Sequence, residues 1–186
     1  LMALPILDGD SKIILTTPLV SEAYVDITLE VLKSYGIRIK KTDYGFEIKG
    51  NQKYEGECIP EGDYSNSAFF LTLGALSEEI TVDGLNLDSV QGDRKIIEIL
   101  TLAGASVHLS TVEKVKKDKL KAFTFDGENC PDLVPITSVL ASFCEGVSTI
   151  KNVKRLKIKE SDRIESTLAT LNAFGIKGEF NGNDLI

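Results

Sequence analysis

The residues LEVLKSYGIRI at 29–39 set the pattern from which the fold follows. Apolar residues at helical spacing lead to Gly36, and an alternating run comes after it. The same pattern returns as IEILTLAGASV at 97–107 and LATLNAFGIKG at 168–178, with the three glycines about seventy residues apart. Each copy therefore predicts an amphipathic helix that ends at the glycine and is followed by a strand.

A second apolar run precedes each copy, at 1–7, 67–76 and 135–144. These runs are apolar nearly all round, so a helix formed there must be enclosed by other elements. Each unit is thus predicted to hold a buried helix, a short strand, an amphipathic helix and one or two further strands, with the strands as outer walls. Because residues 1–7 begin inside a core-type run without a cap, we expect the chain to be cut from a longer one. The turn-rich stretch around Pro60 predicts a domain boundary.

The composition limits the function classes. With 28 acidic and 21 basic residues and a net charge of −7, the chain is a poor candidate for nucleic-acid or anionic-membrane binding. It shows no signal peptide or membrane-spanning run, so a cytoplasmic protein is expected. Cys58, Cys130 and Cys144 have no zinc-ligand spacing and are predicted to be reduced structural thiols, and no metal site is expected. His108, the only histidine, lies in an alternating run at 105–109 and is predicted to be structural.

Two charged segments are candidate sites. In KIKESDR at 157–163, a cap by Ser161 or Asp162 would place Lys159 and Arg163 beside a helix N-terminus, where backbone N–H groups favour an anion. From spacing alone, a capped helix start with ordinary charge pairs is the favoured interpretation. The lysine-rich run at 114–121 is predicted to be a solvated hairpin or loop, with phosphate binding as the alternative.

Asp132 stands alone before the third apolar run, where it could act as a base or simply as a helix cap. Ser21 and Tyr24 hold the corresponding place before the first amphipathic helix and could bind a polyol. By the repeat, Ser21 and Lys159 occupy equivalent corners of their units. Sites at equivalent corners can converge on one pocket.

Five runs in the same order resemble the 5-enolpyruvylshikimate-3-phosphate synthase family, and the likeness covers essentially the whole chain. They are SEAYVDITL at 21–29, EGDYSNSAFFL at 61–71, VQGD at 90–93, Pro131-Asp132 and RLKIKESDRI at 155–164. The resemblance implies an α+β fold, the α/β prism or inside-out α/β barrel of the enolpyruvyl transferases. In it, two lobes are each made of three βαβαββ units, with buried helices and outer sheets. Residues 1–59 would end the first lobe, and residues 60–186 would form about two units of the second.

The resemblance also implies a reaction and its residues. The enolpyruvyl group of phosphoenolpyruvate is transferred to the 5-hydroxyl of shikimate 3-phosphate with release of phosphate, without cofactor or metal. Asp132 matches the base and Glu160 a second proton-transfer carboxylate. The remaining matches are substrate contacts: Arg163 for phosphoenolpyruvate, and Ser21, Tyr24, Lys159 and again Asp132 for shikimate 3-phosphate.

Two alternatives accompany this hypothesis. One is the sister enzyme that transfers enolpyruvyl to UDP-N-acetylglucosamine, and the other is a non-catalytic repeat scaffold whose capped corners are only structural. Because the expected site lies in a cleft between two lobes, we expect the 186 residues alone to fold without synthase activity. The complete protein is expected to be a monomer.

Overall fold

The computed structural model describes residues 1–77, 79–108, 111–113 and 120–186. The chain divides into two compact units, Leu1–Pro60 and Glu61–Ile186. Most of the lysine-rich run at 114–121 lies outside the described residues, so the predictions for it stay predictions. The assignment of the two units to particular lobes stays a prediction as well.

The first unit consists of β1 (Ser11–Ile14), α1 (Glu22–Ser34), β2 (Ile39–Thr42) and β3 (Gly45–Ile48). Its strands form an antiparallel sheet in the order β1-β3-β2. Residues 1–7, predicted to be helical, form only a 3-10 turn at Leu4–Ile6. The helix prediction is wrong because the carbonyls of Pro5 and Leu7 accept from the backbone N–H groups of Gln52 and Asn51, at 2.9 and 2.7 Å.

The second unit contains two successive sets of elements. The first set is α2 (Tyr64–Leu76), β4 (Ile80–Thr81), α3 (Ile96–Leu102), β5 (Ser106–His108) and β6 (Thr111–Glu113). The second set is β7 (Thr124–Asp126), α4 (Val134–Ser142), β8 (Thr149–Lys151) and α5 (Arg163–Ala173). Strands β4, β6 and β5 form one antiparallel sheet in that order, whereas β7 and β8 pair in parallel across the α4 connection. The predicted strand at His108 is confirmed.

The repeated glycines end their helices in the same way. Gly36, Gly104 and Gly175 have φ of 78°, 93° and 76°, a left-handed conformation that glycine adopts without steric cost. In each copy the glycine N–H bonds the carbonyl three residues back, and the following N–H bonds the carbonyl five residues back. This is the Schellman arrangement, with the leucine four residues before each glycine buried. The predicted strand follows in the first two copies, but after Gly175 there are only isolated bridges.

The two apolar helices of the second unit form its core. Tyr64, Ala68 and Leu71 of α2 are almost fully buried and belong to the same cluster as Val134 and Leu140 of α4. The prediction that α2 is enclosed on all sides is wrong for the described chain. Its outer face remains exposed because no described element covers it, and the exposed side chains there are Phe69, Phe70 and Leu73.

Two of the recognised runs contact each other at the N-terminus of α2. Asp63 caps the helix by accepting from the Ser65 N–H at 2.9 Å. The Gln91 side chain accepts from the Tyr64 N–H at 2.9 Å and donates to Glu61 at 2.8 Å. These bonds satisfy backbone donors that a helix start leaves unpaired, and they fix the segment at 89–93 against α2.

A substitution at Gly175 tests the helix-ending motif. Because an added Cβ meets no atom within 4 Å, only the backbone conformation should matter. We expect Gly175→Ala to lower the free energy of unfolding by about 1 to 2 kcal/mol, measured by urea unfolding. Gly175→Asn is the matched control and should cost less, since asparagine tolerates the left-handed region. Equal costs for both variants would contradict the conformational explanation.

Candidate active site

A cavity of about 510 Å³ opens in the second unit, and the starts of α2, α4 and α5 reach it. Its polar lining includes Ser65 from α2, Asp132 just before α4, and Arg163 at the start of α5. Apolar side chains of α2 and α4 line much of the remainder, together with Asn66 of α2 and the α5 residues Ser166, Thr167, Thr170 and Leu171. Cap bonds already satisfy backbone N–H groups at the starts of α2 and α5. The positive ends of the helix dipoles remain, and they favour negative charge at the cavity.

Arg163 is the central charged group of this site. Its guanidinium donates to Asp132 through Nη1 and to Glu160 through Nη2, and its Nε lies 2.9 Å from Glu160 Oε1. The side chain is about one-quarter exposed, against one-third for Asp132 and two-thirds for Glu160. These hydrogen bonds, chiefly the one to Glu160, raise the pKa of Arg163, and those from Arg163 lower the pKa of Glu160. The guanidinium is therefore a fixed positive charge between two carboxylates.

The local sequence explains how Arg163 is placed. Asp162 has an extended backbone and its carboxylate accepts from the Glu165 N–H at 2.9 Å, which starts α5 at Arg163. The predicted cap at this position is confirmed. The segment is more than an ordinary capped helix start, because Arg163 also contacts Asp132. Asp132 is not a helix cap: it lies within the 3-10 turn Pro131–Leu133, and α4 has no side-chain cap bond.

The other predicted residues are distributed over both units. Lys159 is half-buried beside Glu160, whose pKa it helps to lower. Ser21 stands at the N-cap position of α1 with φ of 58°, and its side chain makes no cap bond to the helix. Tyr24 is 44% exposed in the first turn of α1. The structure thus brings together Asp132, Glu160 and Arg163 with Lys159 next to them, while Ser21 and Tyr24 belong to the first unit.

Sequence reasoning missed two residues at this cavity. Ser65 lines it, and its hydroxyl donates to Asp93, a carboxylate only 5% exposed. Burial raises the pKa of Asp93 to about 6, with further contributions from the charges of Asp132 and Asp63, while the Ser65 hydrogen bond opposes the rise. Both residues stand in the recognised runs at 61–71 and 90–93. The repeat does not reveal their pairing because it joins positions far apart in sequence.

The remaining chemistry-bearing groups are accounted for structurally. All three cysteines are free, as predicted, and burial raises the pKa of Cys130 to about 12 and that of Cys144 to about 11. Such thiols are poor nucleophiles at neutral pH. Among the described residues, no group of three or more histidine, cysteine, aspartate or glutamate side chains could hold a metal ion. Within the same part of the chain, no helix has the length and apolarity needed to cross a membrane.

Solved structures with the same fold are enolpyruvyl transferases. The chain superposes on the EPSP synthase of Acinetobacter baumannii with a TM-score of 0.75 and 21% identity, covering 95% of this chain and 42% of the other. It also superposes on the enolpyruvyl transferase NikO from Streptomyces tendae, with a TM-score of 0.62 and 16% identity over 97% of this chain and 43% of the other. These matches confirm the α+β enolpyruvyl transferase fold.

Sequence relationship identifies the family more closely. The model for EPSP synthase (3-phosphoshikimate 1-carboxyvinyltransferase) matches residues 1–186, so the chain belongs to this family. A 3-phosphoshikimate 1-carboxyvinyltransferase of Clostridium kluyveri is 46% identical over 178 residues, or 94% of this chain and 42% of the relative. One from Methanocaldococcus jannaschii is 41% identical and covers the whole chain and 44% of the relative. The chain therefore spans about two-fifths of the length of these relatives.

The buried carboxylate of Asp93 should make stability depend on pH. Because the pKa is near 3.8 in the unfolded chain and about 6 in the fold, the folded state binds the extra proton. Its contribution is thus favourable below about pH 4 and is lost as the pH rises through 6. We expect Asp93→Asn to raise the free energy of unfolding at pH 8 by up to about 3 kcal/mol relative to wild type, with little gain at pH 4.

Urea unfolding at several pH values measures this difference. Glu179→Gln serves as the control, because Glu179 is an exposed acid outside the helices and strands. An Asp93→Asn variant whose stability relative to wild type does not change between pH 4 and pH 8 would contradict the prediction.

Proposed function

We propose that the protein containing this chain transfers the enolpyruvyl group of phosphoenolpyruvate to the 5-hydroxyl of shikimate 3-phosphate and releases phosphate. The family match over residues 1–186 supports the assignment. The observation that carries it to particular residues is the contact of Arg163 with both Asp132 and Glu160 at one cavity. A fixed cation between two carboxylates suits a reaction that binds anions and moves two protons.

Each residue has a proposed task. Asp132 accepts the proton of the 5-hydroxyl as that oxygen bonds to C2 of phosphoenolpyruvate. Glu160 participates in proton transfer at C3, which becomes a methyl group in the tetrahedral adduct. Loss of a proton from that methyl group and cleavage of the C2–O bond to phosphate then regenerate the enol ether and release phosphate. Arg163 holds phosphoenolpyruvate, and Lys159 contacts shikimate 3-phosphate.

Substrate binding can rearrange the contacts of Arg163. In the described structure three of the five N–H donors of its guanidinium bond Asp132 and Glu160, so an incoming carboxylate or phosphate can bind the two remaining donors or replace one of the carboxylates. Glu160 is the more exposed of the two carboxylates, which makes it the simpler one to displace. Its release from Arg163 would leave it available as the second proton-transfer group.

The other site residues and the cellular setting are part of the same proposal. Ser21 and Tyr24 of the first unit contact shikimate 3-phosphate in the complete protein. The reaction proceeds without a metal or organic cofactor, and the protein is a cytoplasmic monomer. The relatives at 41% and 46% identity are described as 3-phosphoshikimate 1-carboxyvinyltransferases, which favours this acceptor over UDP-N-acetylglucosamine. Turnover measured with each acceptor decides between the two.

Substitutions at the two central residues test the catalytic assignment in the full-length protein. Asp132→Asn should lower kcat at least a hundredfold, since general-base catalysis contributes that much or more. Arg163→Lys retains the charge but loses the two-pronged geometry, so KM for phosphoenolpyruvate should rise about ten- to a hundredfold. Lys151→Ala, an exposed cation on β8, is the control and should behave as wild type. Near-normal turnover by Asp132→Asn would contradict its assignment as the base, whereas a wild-type protein without turnover would favour the scaffold alternative.

The isolated chain provides a second test. We expect these 186 residues to fold cooperatively but to give no measurable phosphate release from the two substrates. The reason is that the chain spans only about two-fifths of the length of the relatives it matches, so residues outside it would be needed to complete the site. Phosphate release followed by a coupled assay checks this. Turnover equal to that of a full-length relative would show that these 186 residues suffice.

A further inference from the structure

Ser65 and Asp93 form a hydrogen-bonded pair at the cavity wall that none of the proposed steps uses. The Ser65 side chain lines the same cavity as Asp132 and Arg163, and its Oγ donates to Asp93 Oδ2. Asp93 stands behind it in the 3-10 turn Gly92–Lys95 and is 5% exposed. Burying a carboxylate costs free energy, so its placement directly behind a cavity residue needs a physical explanation.

The surroundings leave Asp93 dependent on Ser65. Its neighbours within the turn are engaged elsewhere, since Arg94 donates to the Leu87 carbonyl at 2.8 Å and Lys95 pairs with Glu98. The facing groups on other elements are Ser65 and three that carry or can acquire negative charge: Asp63 before α2, and Asp132 and Cys130 at the start of α4. The hydroxyl of Ser65 is therefore the donor that stabilises the ionised carboxylate.

The hydrogen bond to Asp93 determines whether Ser65 presents a donor or an acceptor to the cavity. A serine hydroxyl has one proton and two lone pairs, and an ionised carboxylate only accepts hydrogen bonds. With its proton directed at Asp93, Ser65 has only lone pairs to offer a ligand. A hydroxyl that donates to a charged group is also a better acceptor, because the two hydrogen bonds polarise each other.

We propose that Ser65 binds a hydroxyl of the acceptor substrate beside Asp132 by accepting its proton in a hydrogen bond, and that Asp93 is the positioning residue that holds Ser65 in this orientation. This inference rests on the proposed function, because it takes the polyol as the ligand of the cavity. The pair also contributes to selectivity. Its lone pairs disfavour a carboxylate or phosphate at this position, which directs the anionic groups of the substrates towards Arg163.

The same arrangement predicts a pH effect on substrate binding. The pKa of Asp93 is raised to about 6, so the carboxylate is ionised at neutral pH and protonated below that value. A protonated Asp93 can donate to Ser65 and release the serine proton towards the cavity, which removes the fixed acceptor. KM for shikimate 3-phosphate should therefore rise as the pH falls through about 6.

Kinetics of the full-length protein test the pair. Ser65→Ala should raise KM for shikimate 3-phosphate about three- to tenfold, the range for one hydrogen bond, with KM for phosphoenolpyruvate and kcat near wild type. Ser65→Thr retains the hydroxyl and should restore KM. Asp93→Asn should raise KM for shikimate 3-phosphate by a smaller factor than Ser65→Ala does. The double variant should have the same KM as Ser65→Ala alone, because Asp93 acts through Ser65. Glu179→Gln, which removes an exposed acid outside the helices and strands, is the charge-matched control and should leave both constants unchanged.

A titration of the isolated chain separates failure of this inference from failure of the proposed function. Carboxyl-carbon NMR should give Asp93 an apparent pKa of about 6, higher in Ser65→Ala and lower in Asp132→Asn, following the causes of its shift. These shifts, together with a full-length protein that lacks enolpyruvyl transfer, would leave the pair intact and overturn the proposed function. A wild-type KM for shikimate 3-phosphate in an active Ser65→Ala protein would overturn the inference. So would an Asp93 pKa that is the same in Ser65→Ala as in wild type.

Discussion

The second unit depends on the burial of α2 against α3 and α4. An apolar helix is stable in water only when other elements cover it, and α2 contributes Tyr64, Ala68 and Leu71 to the centre of the core. The burial creates a second requirement at the helix start, where backbone donors must find acceptors. Asp63 and Gln91 supply them, so the turn that carries Asp93 is attached to the helix that carries Ser65.

The location of the candidate site follows from this packing. Because α2 and α4 pack together and α4 also packs against α5, their starts lie near one another at one cavity. Polar residues are required at helix starts in any case, as caps and as partners for the dipole. A unit built from repeated helices therefore collects polar groups at one end. Asp132, Arg163 and Ser65 are the members of that set which reach the cavity, while Asp162 remains a structural cap.

Local rules explain which parts of the fold could be predicted from the sequence. The helix ends at Gly36, Gly104 and Gly175 depend on backbone geometry within six residues, so the repeat revealed all three. Two of the incorrect predictions concern tertiary partners. Residues 1–7 lose their helix to backbone bonds with Asn51 and Gln52, and no described element covers the outer face of α2.

The candidate site also has residues that a local sequence pattern predicts and contacts that it does not. Arg163 and its cap were predictable because a capped helix start is a local pattern, and Asp132 because an isolated carboxylate precedes an apolar run. Their contact joins positions thirty-one apart, and the pairing of Ser65 with Asp93 joins positions twenty-eight apart. No local pattern encodes either contact. Resemblance to a family supplied the first set of residues, whereas the second required the structure.

The charge balance of the site connects these observations. Arg163 is compensated by Asp132 and Glu160, so without substrate the cavity carries no excess positive charge from this residue. An anion that replaces a carboxylate at Arg163 would leave that carboxylate free to exchange protons. Asp93 differs from both because it is buried and is held by Ser65 rather than by a cation. In the function we propose, Asp93 therefore fixes geometry, whereas Asp132 and Glu160 can change partners.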